Sequence, residues 1–413
     1  KEETFSPGRG RVLAGGILLG LLLGVMLSAG LFLFLKDMSV LLPQQGYGIG
    51  GGAEGSAVNE GSESKLKLLE EYIHNHYYHA EEITTAQKED GMYKGLVEAI
   101  GDPYSAYYNE KEYRELNEET TGEYYGIGCY VMLREEDQAT VVTGVIRESP
   151  AEEAGLLPGD VIFKVDGENA IGLSLDEVVS RIKGEEGTTV QLTVYREKES
   201  EYPEFTVRRA RIESQTVYSE MKEGNIGYIE LTEFDIVSTE QFKTHLNDLL
   251  EKGAEGIILD LRYNLGGNVS TVTEIAGLLL PKGLVFYVEH QDGSRTEYTC
   301  DGTDFDLPLV VLVNEYSASA SEILAGAVQD AEVGTLVGTQ TYGKGVMQTI
   351  FPFGDGTAVK LTVANYFTRG GRNIDQVGIT PDVIAELDEE AYEEDETDTQ
   401  LDKAIEVLQE KMK

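Results

Sequence analysis

The stretch SASASE at residues 317–322 carries three serines at alternate positions and then a glutamate. A serine hydroxyl attacks a carbonyl at neutral pH only when an adjacent base takes its proton. The stretch also has a structural explanation, because Ser319 and Glu322 have the spacing of a capping box, which stabilises a helix by about 1 kcal/mol. The two roles are compatible, since free N–H groups at a helix start favour developing negative charge. Spacing does not choose among Ser317, Ser319 and Ser321, because alternate residues of an extended strand face one way.

The base for such a serine is not an obvious histidine, since all five histidines lie outside the glycine-rich segments. Lys344 lies inside one, between Gly343 and Gly345. A lysine acts as a base only when neutral, which requires burial to lower its pKa from about 10.4. Gln348 can orient the amine without adding a charge that would raise this pKa. Taken singly, Lys344 and Gln348 are more simply surface residues, and only their combination with the serines favours a catalytic role.

A glycine pair, Gly266 and Gly267, follows the apolar segment 256–261. Glycines let a backbone N–H approach a substrate closely, as an oxyanion hole requires. A tight strand-to-helix turn is the simpler alternative, and the choice between the two glycines stays open.

The elements that must position these residues fall into three regions. Residues 211–390 alternate apolar strands (227–231, 256–261, 307–313) with helices (239–252, 322–329), which indicates an α/β core. Residues 120–210 contain short strands and two helices, 150–154 and 175–182, typical of a compact barrel-like sandwich. Residues 64–119 are predicted to be helical.

The two ends of the soluble part differ in character. Residues 37–63 are rich in glycine and polar residues and predict a flexible linker. Residues 391–413 comprise an acidic linker, part of a run at 389–398, and an amphipathic helix at 399–411. The apolar faces of 64–82 and 399–411 are candidates for dimer contacts.

The amino-terminal segment 1–36 predicts a cytoplasmic stub and a membrane anchor. Val12 to Leu35 carries no charge and is long enough to cross the roughly 30 Å apolar core of a bilayer. Basic residues precede it, which places this end in the cytoplasm and the rest outside. A cleaved signal peptide is the alternative, but the apolar run is long for one.

Composition excludes some classes of partner. The formal net charge is −41, so nucleic acid would be repelled. The two cysteines, Cys129 and Cys300, give no zinc spacing, and free thiols are favoured over one disulfide. Cofactors and metals are not expected.

Six motifs in order resemble the carboxyl-terminal processing (tail-specific) serine peptidases, which carry a PDZ domain. They are GIG (126–128), SPAEEAGLLPGD (149–160), DLRYNLGG (260–267), VNEYSASASEILAGAVQD (313–330), YGKGVMQ (342–348) and YFTRGGRNIDQVGITPDV (366–383). The resemblance covers roughly residues 65–410. Small departures at Leu265 and Arg369 touch no proposed reacting group.

The resemblance implies a crotonase/ClpP-like spiral core with an inserted PDZ domain at 120–210. It implies Ser319 as nucleophile, Lys344 as base and Gln348 as the residue that orients the lysine. The Gly266–Gly267 turn and the N–H of Ala320 would form the oxyanion hole. Of the three serines, only the resemblance selects Ser319.

The resemblance also implies how substrate is recognised. Tyr125, Gly126, Ile127 and Gly128 would form the loop that binds the terminal carboxylate of a peptide, which adds as a strand at the sheet edge. Partners would be protein substrates with free carboxyl termini and a second copy of the chain. In this family, repositioning of the PDZ domain gates the site, so a resting, misaligned Ser–Lys pair is one expected state.

Two other functions are weighed against this one. A catalytically silent PDZ scaffold would lack the serine or the lysine, and both are present. Metal binding by His74, His76 and His79 is disfavoured, because a solvated helix face explains the spacing.

Overall fold

The computed structural model of the chain describes residues 56–395 and 397–413. The predicted membrane anchor, Val12 to Leu35, lies outside these residues. Within the described ranges, no helix combines the length and the hydrophobicity that a bilayer span requires. The described chain forms two compact units that divide after Thr84.

The first unit consists of helix α1 (Glu60–His76) and a 3-10 turn (Ala80–Glu82). Asn59 caps α1, and its side chain accepts from the N–H groups of Gly61 and Ser62. No residue of α1 is buried, so its apolar side chains stay exposed. The predicted helix at 64–82 is thus present, but its regular part ends at His76.

The second unit begins with α2 (Thr85–Glu98), β1 (Ala106–Tyr108) and α3 (Glu110–Thr121). The sequence predicts helices here and misses β1, which pairs antiparallel with residues 358–360. Helix α3 ends at Gly122, whose φ of 70° places it in the left-handed region.

A barrel-like sandwich follows in residues 123–213. Its elements are β2 (Glu123–Gly126), β3 (Cys129–Arg134), β4 (Ala139–Val145), α4 (Pro150–Ala154), β5 (Val161–Val165), β6 (Glu168–Asn169), α5 (Leu175–Ile182), β7 (Thr189–Tyr195), β8 (Glu204–Arg208) and β9 (Ala210–Glu213). The main sheet runs β3-β4-β5-β7-β8, with β6 on β5, and β2 pairs with β9 apart from it. Strand β3 therefore has a free edge. The predicted turn at Asp166-Gly167 is confirmed, since both residues have positive φ, as a tight hairpin requires.

The remaining elements build the α/β core. They are β10 (Val217–Lys222), β11 (Ile226–Leu231), α6 (Ser238–Glu251), β12 (Gly256–Asp260), α7 (Val269–Leu279), β13 (Gly283–His290), β14 (Arg295–Cys300), β15 (Leu309–Val313), α8 (Ala320–Asp330), β16 (Thr335–Gly338), β17 (Val346–Pro352), β18 (Ala358–Thr368), β19 (Val383–Ile384), α9 (Glu389–Asp395) and α10 (Thr399–Lys411).

Two sheets organise this core. One runs β10-β11-β12-β15-β16-β19 and is parallel except for β10. The other is antiparallel, in the order β1-β18-β13-β14, with β17 also on β18. Successive residues of β12 alternate between two apolar clusters: Ile257 and Leu259 join the larger, and Ile258 the smaller.

Helix α10 closes the smaller cluster, because its Ala404 and Leu408 are fully buried there. Strands of the same chain therefore cover the face of α10 that the sequence offers as a dimer contact. The prediction of a solvated acidic linker is also wrong for Asp398. Its carboxylate binds Arg262 Nη1 and Nη2 at 2.9 and 2.7 Å, and both side chains are largely buried.

Both cysteines are free thiols, as the sequence favours. Cys300 is buried and Cys129 is half-buried on β3. Burial raises the pKa of Cys129 to about 11, so it stays protonated and unreactive at neutral pH.

Candidate active site

The three alternate serines have different environments. The Ser317 hydroxyl donates to the Leu261 carbonyl at 2.8 Å, and the Ser321 hydroxyl donates to the Asn264 carbonyl at 2.8 Å. Both side chains are completely buried. Ser319 is half-buried and lines a cleft of about 880 Å³. The fold therefore places one serine in a cavity. The other two stabilise the interior through hydrogen bonds to backbone carbonyls.

The Ser319 backbone is held in a strained turn between β15 and α8. Its φ and ψ are 55° and −113°, a combination that side-chain-bearing residues rarely adopt. Because β12 and β15 are parallel neighbours, the turns at their carboxyl ends meet, which brings the glycine pair beside the serine. A Cβ on Gly266 would lie 2.8 Å from Ser319 Cβ, so only glycine fits there.

The two glycines differ in what their N–H groups do. The Gly266 N–H donates to the Asn264 side chain at 2.8 Å. The N–H groups of Gly267 and Ala320 make no hydrogen bond within residues 56–395 and 397–413. Gly267 and Ala320 thus offer free donors beside Ser319, and Gly266 supplies the close approach.

Lys344 lies in the same cleft, half-buried, with its Nζ 4.7 Å from the centre of the Tyr104 ring. Burial and then the nearby positive charge of Lys360 lower its pKa from the ordinary value, against the opposing charges of Asp102 and Glu322. The flanking glycines allow close packing, as predicted. A Cβ on Gly345 would lie 2.4 Å from the Asp375 backbone nitrogen.

Glu322 joins the serine turn to the lysine loop. Its Oε2 accepts from the N–H groups of Ser319 and Lys344 at 3.0 and 2.9 Å. Its Oε1 accepts from the Gly343 N–H at 2.7 Å and the Thr341 hydroxyl at 2.6 Å. The carboxylate is completely buried, which raises its pKa, and these hydrogen bonds oppose the rise. The predicted capping glutamate therefore also fixes Lys344 relative to Ser319.

Gln348 lies on β17, beside an irregularity in its pairing with β18. Its amide donates to Thr362 Oγ1 at 3.1 Å. Across the described part of the chain, neither this amide nor the Ser319 hydroxyl forms a hydrogen bond with the Lys344 side chain. The backbones of the predicted triad are thus assembled in one cleft, while the side-chain contacts that proton transfer requires are not made.

Residues 102–105 complete the surroundings of Lys344. The Asp102 carboxylate accepts from the Tyr104 N–H at 3.1 Å and the Ser105 hydroxyl at 2.5 Å. Ser105 in turn accepts from the Thr362 N–H on β18 at 3.1 Å. The sequence marks this segment by a turn signal at Asp102-Pro103 and by the resemblance of GDPYSAYY (101–108) to the segment that leads into the PDZ domain in that family, and neither signal predicts a contact with Lys344.

The predicted carboxylate-binding loop connects β2 to the free-edged β3. Ile127 is buried in the sandwich core, and the Ile127 and Gly128 N–H groups form no hydrogen bond with other described residues. Gly128 has a φ of 80°, and a Cβ there would lie 2.4 Å from Ser149 Cβ. The loop therefore presents two free donors beside an open strand edge. The Tyr125 carbonyl accepts from the Gly184 N–H at 3.4 Å, just beyond α5.

In the two described ranges, no group of three or more histidine, cysteine or acidic side chains converges on a position for a metal ion.

Comparison with known proteins identifies the family. The model for peptidase family S41 matches residues 225–385, and a PDZ domain model matches residues 141–196. The carboxy-terminal processing protease CtpA of Bacillus subtilis is 34% identical over 368 residues, covering 89% of this chain and 76% of that protein. The carboxyl-terminal-processing protease of Synechocystis sp. is 36% identical over 324 residues, covering 77% and 74%. A solved structure of a photosystem II D1 C-terminal processing protease is 29% identical, with a TM-score of 0.45, over 78% of this chain and 87% of that one.

The two curated relatives extend across both the sandwich and the α/β core, so they confirm the resemblance seen in the six motifs. The chain belongs to peptidase family S41, among the carboxyl-terminal processing serine proteases, and contains a PDZ domain.

Proposed function

We propose that this chain is a membrane-anchored, extracytoplasmic endopeptidase that binds protein carboxyl termini in its PDZ domain and cleaves by a Ser–Lys acyl-enzyme mechanism. One observation carries the proposal most directly: the buried Glu322 carboxylate ties the backbones of Ser319 and Lys344 into one cleft. Two free N–H groups lie beside that serine, those of Gly267 and Ala320.

The chemistry begins with attack of Ser319 Oγ on the scissile carbonyl carbon while the neutral Lys344 amine takes the hydroxyl proton. The Gly267 and Ala320 N–H groups stabilise the resulting oxyanion. The intermediate then expels the amine, which receives the proton from Lys344. Water, deprotonated by Lys344, hydrolyses the acyl-enzyme and restores Ser319.

Activation requires the Lys344 ammonium to leave the Tyr104 ring, lose its proton and reach Ser319. Its lowered pKa favours the neutral form that the first step needs. The Gln348 side chain must also break its hydrogen bond to Thr362 and form one with the lysine amine. We assign these side-chain movements to repositioning of the PDZ domain when it binds a peptide.

Recognition uses the loop of Tyr125, Gly126, Ile127 and Gly128. The free Ile127 and Gly128 N–H groups would bind the terminal carboxylate, and the preceding residues would add to the open edge of β3. Helix α5 would form the other wall of this groove.

Location and assembly rest on other features. The charge pattern around the apolar segment at 12–35 supports a single anchor with the catalytic part outside the cytoplasm. Exposed apolar side chains on α1, including Leu66, Leu69 and Tyr72, support a homodimer through this helix. Protease accessibility in intact cells and sedimentation velocity test these two points.

The function itself is tested with matched peptides that carry a free or an amidated carboxyl end. We expect the full chain to cleave the free-ended peptide at least about tenfold faster, because amidation removes the charge that the PDZ loop binds. Ser319→Ala should cleave neither. Equal rates on both peptides would contradict PDZ recognition, and activity in the pure Ser319→Ala protein would contradict the mechanism.

A further inference from the structure

The segment 102–105 contacts the side chain of the proposed base. The Lys344 ammonium lies over the ring of Tyr104, with Nζ 4.7 Å from the ring centre. Among the described residues, this ammonium forms no hydrogen bond and no ion pair with a carboxylate. A cation over the face of a half-buried aromatic ring is attracted to it electrostatically. The ring is therefore the group that fixes the lysine side chain in this arrangement.

Tyr104 is itself fixed at both ends. Its N–H donates to the Asp102 carboxylate at 3.1 Å, and its hydroxyl shares a hydrogen bond with that of Tyr342, two residues before the lysine. The same carboxylate accepts from the Ser105 hydroxyl at 2.5 Å. The position of the ring under the ammonium is therefore set by hydrogen bonds to its backbone and to its hydroxyl.

The same segment also contacts the residue that holds Gln348. Thr362, on β18, accepts a hydrogen bond from the Gln348 amide at 3.1 Å. The Thr362 N–H donates to the Ser105 hydroxyl at 3.1 Å, and a side-chain hydrogen bond joins Thr362 to the Asp102 carboxylate. One short segment thus fixes the base directly and its orienting residue through Thr362.

The chain connects this segment to the PDZ domain. Strand β1 and helix α3 follow the segment, and Gly122 then leads from α3 into β2 and the carboxylate-binding loop. Near the end of α3, Glu118 pairs at 2.6 Å with Lys183, which lies just after α5. A displacement of the PDZ domain can therefore reach the segment through α3, which provides a continuous physical path between the two sites.

We infer that Tyr104 is a positioning residue that keeps the enzyme inactive at rest, because its ring holds the Lys344 ammonium away from Ser319. This rests on the proposed function and deepens it: peptide binding to the PDZ domain moves α3 and with it Tyr104, which releases the lysine. The resting arrangement competes with the active one, so weakening it shifts the population towards active enzyme even without a peptide. Removal of the ring should therefore increase activity, whereas loss of a merely structural residue would lower it.

The first test needs no peptide. The full chain is treated with an organophosphorus reagent, and the rate of adduct formation on Ser319 is followed by mass spectrometry. We expect Tyr104→Leu to be labelled about tenfold faster than the wild type, as loss of a partly desolvated cation–π contact implies. Tyr104→Phe keeps the ring and should stay within about twofold of the wild type. Thr362→Val is isosteric, removes the acceptor of the Gln348 amide and should be labelled about threefold faster.

Tyr108→Leu is the matched control. Tyr108 lies in the same part of the chain under a different lysine, since Lys360 Nζ is 5.2 Å from the centre of its ring. The control should leave the labelling rate unchanged, and thermal unfolding shows whether each variant is folded. Wild-type labelling of a folded Tyr104→Leu protein, or equal acceleration in Tyr104→Leu and Tyr108→Leu, would overturn the inference. If Tyr104→Leu does not fold, a wild-type rate in Thr362→Val overturns it.

Peptide cleavage separates failure of this inference from failure of the proposed function. The wild type should have the higher kcat on the free-ended peptide, and in Tyr104→Leu the two kcat values should differ by about twofold or less. The difference in KM should remain, because the PDZ loop is unaltered. The double variant Ser319→Ala, Tyr104→Leu should cleave neither peptide.

Two results would assign a failure. Faster labelling of Tyr104→Leu, without cleavage of any peptide by the wild type, would contradict the proposed function alone. A wild type that prefers the free-ended peptide, together with a Tyr104→Leu protein that has the same kcat ratio and the same labelling rate, would overturn the inference alone.

Discussion

The two halves of the cleft that we propose to be catalytic are organised differently. In the half with the proposed nucleophile, the nucleophile half, Ser319 lies in a strained turn and packs against Gly266. The neighbouring serines donate hydrogen bonds to the carbonyls of Leu261 and Asn264, just after β12. In the base half, the Lys344 backbone is held by Glu322, yet its ammonium lies over Tyr104. The nucleophile half is therefore preformed, and the base half lacks only side-chain contacts. Such a division permits control of the site without rebuilding its backbone.

This difference has a measurable consequence. Changes in the nucleophile half should remove activity, stability or both, because its groups are fixed by packing. Changes of charge around the lysine side chain should act chiefly on the pH dependence of the rate.

The largest effect is expected for the three serines. Ser319→Ala should lower kcat/KM by at least about 10⁴-fold, as loss of a nucleophile does. Ser317→Ala and Ser321→Ala should keep cleavage but lose about 1–2 kcal/mol of unfolding free energy, because each removes a buried hydrogen bond and leaves the carbonyl with its backbone donor alone. Peptide cleavage and urea unfolding measure both quantities. Loss of catalysis in a stable Ser317→Ala or Ser321→Ala protein would contradict the distinction between Ser319 and the other two serines.

Gly266→Ala should have the next largest effect. The added Cβ would lie 2.8 Å from Ser319 Cβ and 2.9 Å from the Ala320 nitrogen, at a φ of 105°. Displacement of the oxyanion donors should reduce kcat by about 10²–10³-fold. Gly293→Ala is the matched control, since its φ is 79° but nothing lies within 4 Å of the added carbon. Similar losses in both variants would mean that backbone strain, and not the close approach, is responsible.

Glu322→Gln tests the tie between the halves. Four groups donate hydrogen bonds to the Glu322 carboxylate. The amide of the variant keeps one oxygen that accepts from two of them, but its NH₂ group faces the other two and cannot accept. We expect about 2–4 kcal/mol of lost stability and a fall of about 100-fold in kcat from misplacement of the base. Thermal unfolding and steady-state kinetics measure these losses, with Glu274→Gln at an exposed position of α7 as the control. A stable variant with normal kcat would show that Glu322 does not position Lys344.

The smallest effects concern the pH dependence of the rate. Below its lowered pKa, Lys344 is protonated and cannot act as a base, so kcat/KM should rise with pH through that value. Lys360→Met removes a repelling charge, which raises the pKa of Lys344 and should move the rise to higher pH. Asp102→Asn removes an attracting charge and should move it to lower pH. Shifts of both variants in one direction would contradict Lys344 as the titrating base.

Local sequence signals predicted much of the fold. The strand Val161–Val165, the helix Leu175–Ile182 and the helix Thr399–Lys411 have the predicted bounds, because their turns and caps lie within a few residues. Strand β1 was missed, since three residues carry little pattern and its partner lies some 250 residues away. Asp398 was likewise misjudged, because its partner Arg262 is distant in sequence.

The site could be predicted in part for the same reason. The resemblance selects Ser319, and the structure adds an independent reason in the hydrogen bonds of Ser317 and Ser321. The sequence predicts only the short-range capping role of Glu322. The other groups that donate to its carboxylate belong to residues 341–344, which are distant in sequence.

The central claim, that Ser319 attacks and Lys344 takes its proton, is tested most directly by covalent trapping. The full chain, with a free-ended substrate peptide present, is treated with an organophosphorus reagent and the adduct is mapped by mass spectrometry. We predict a single adduct on Ser319, formed at least about 100-fold more slowly in Lys344→Ala. An adduct on another serine, or labelling of Lys344→Ala at the wild-type rate, would contradict the claim.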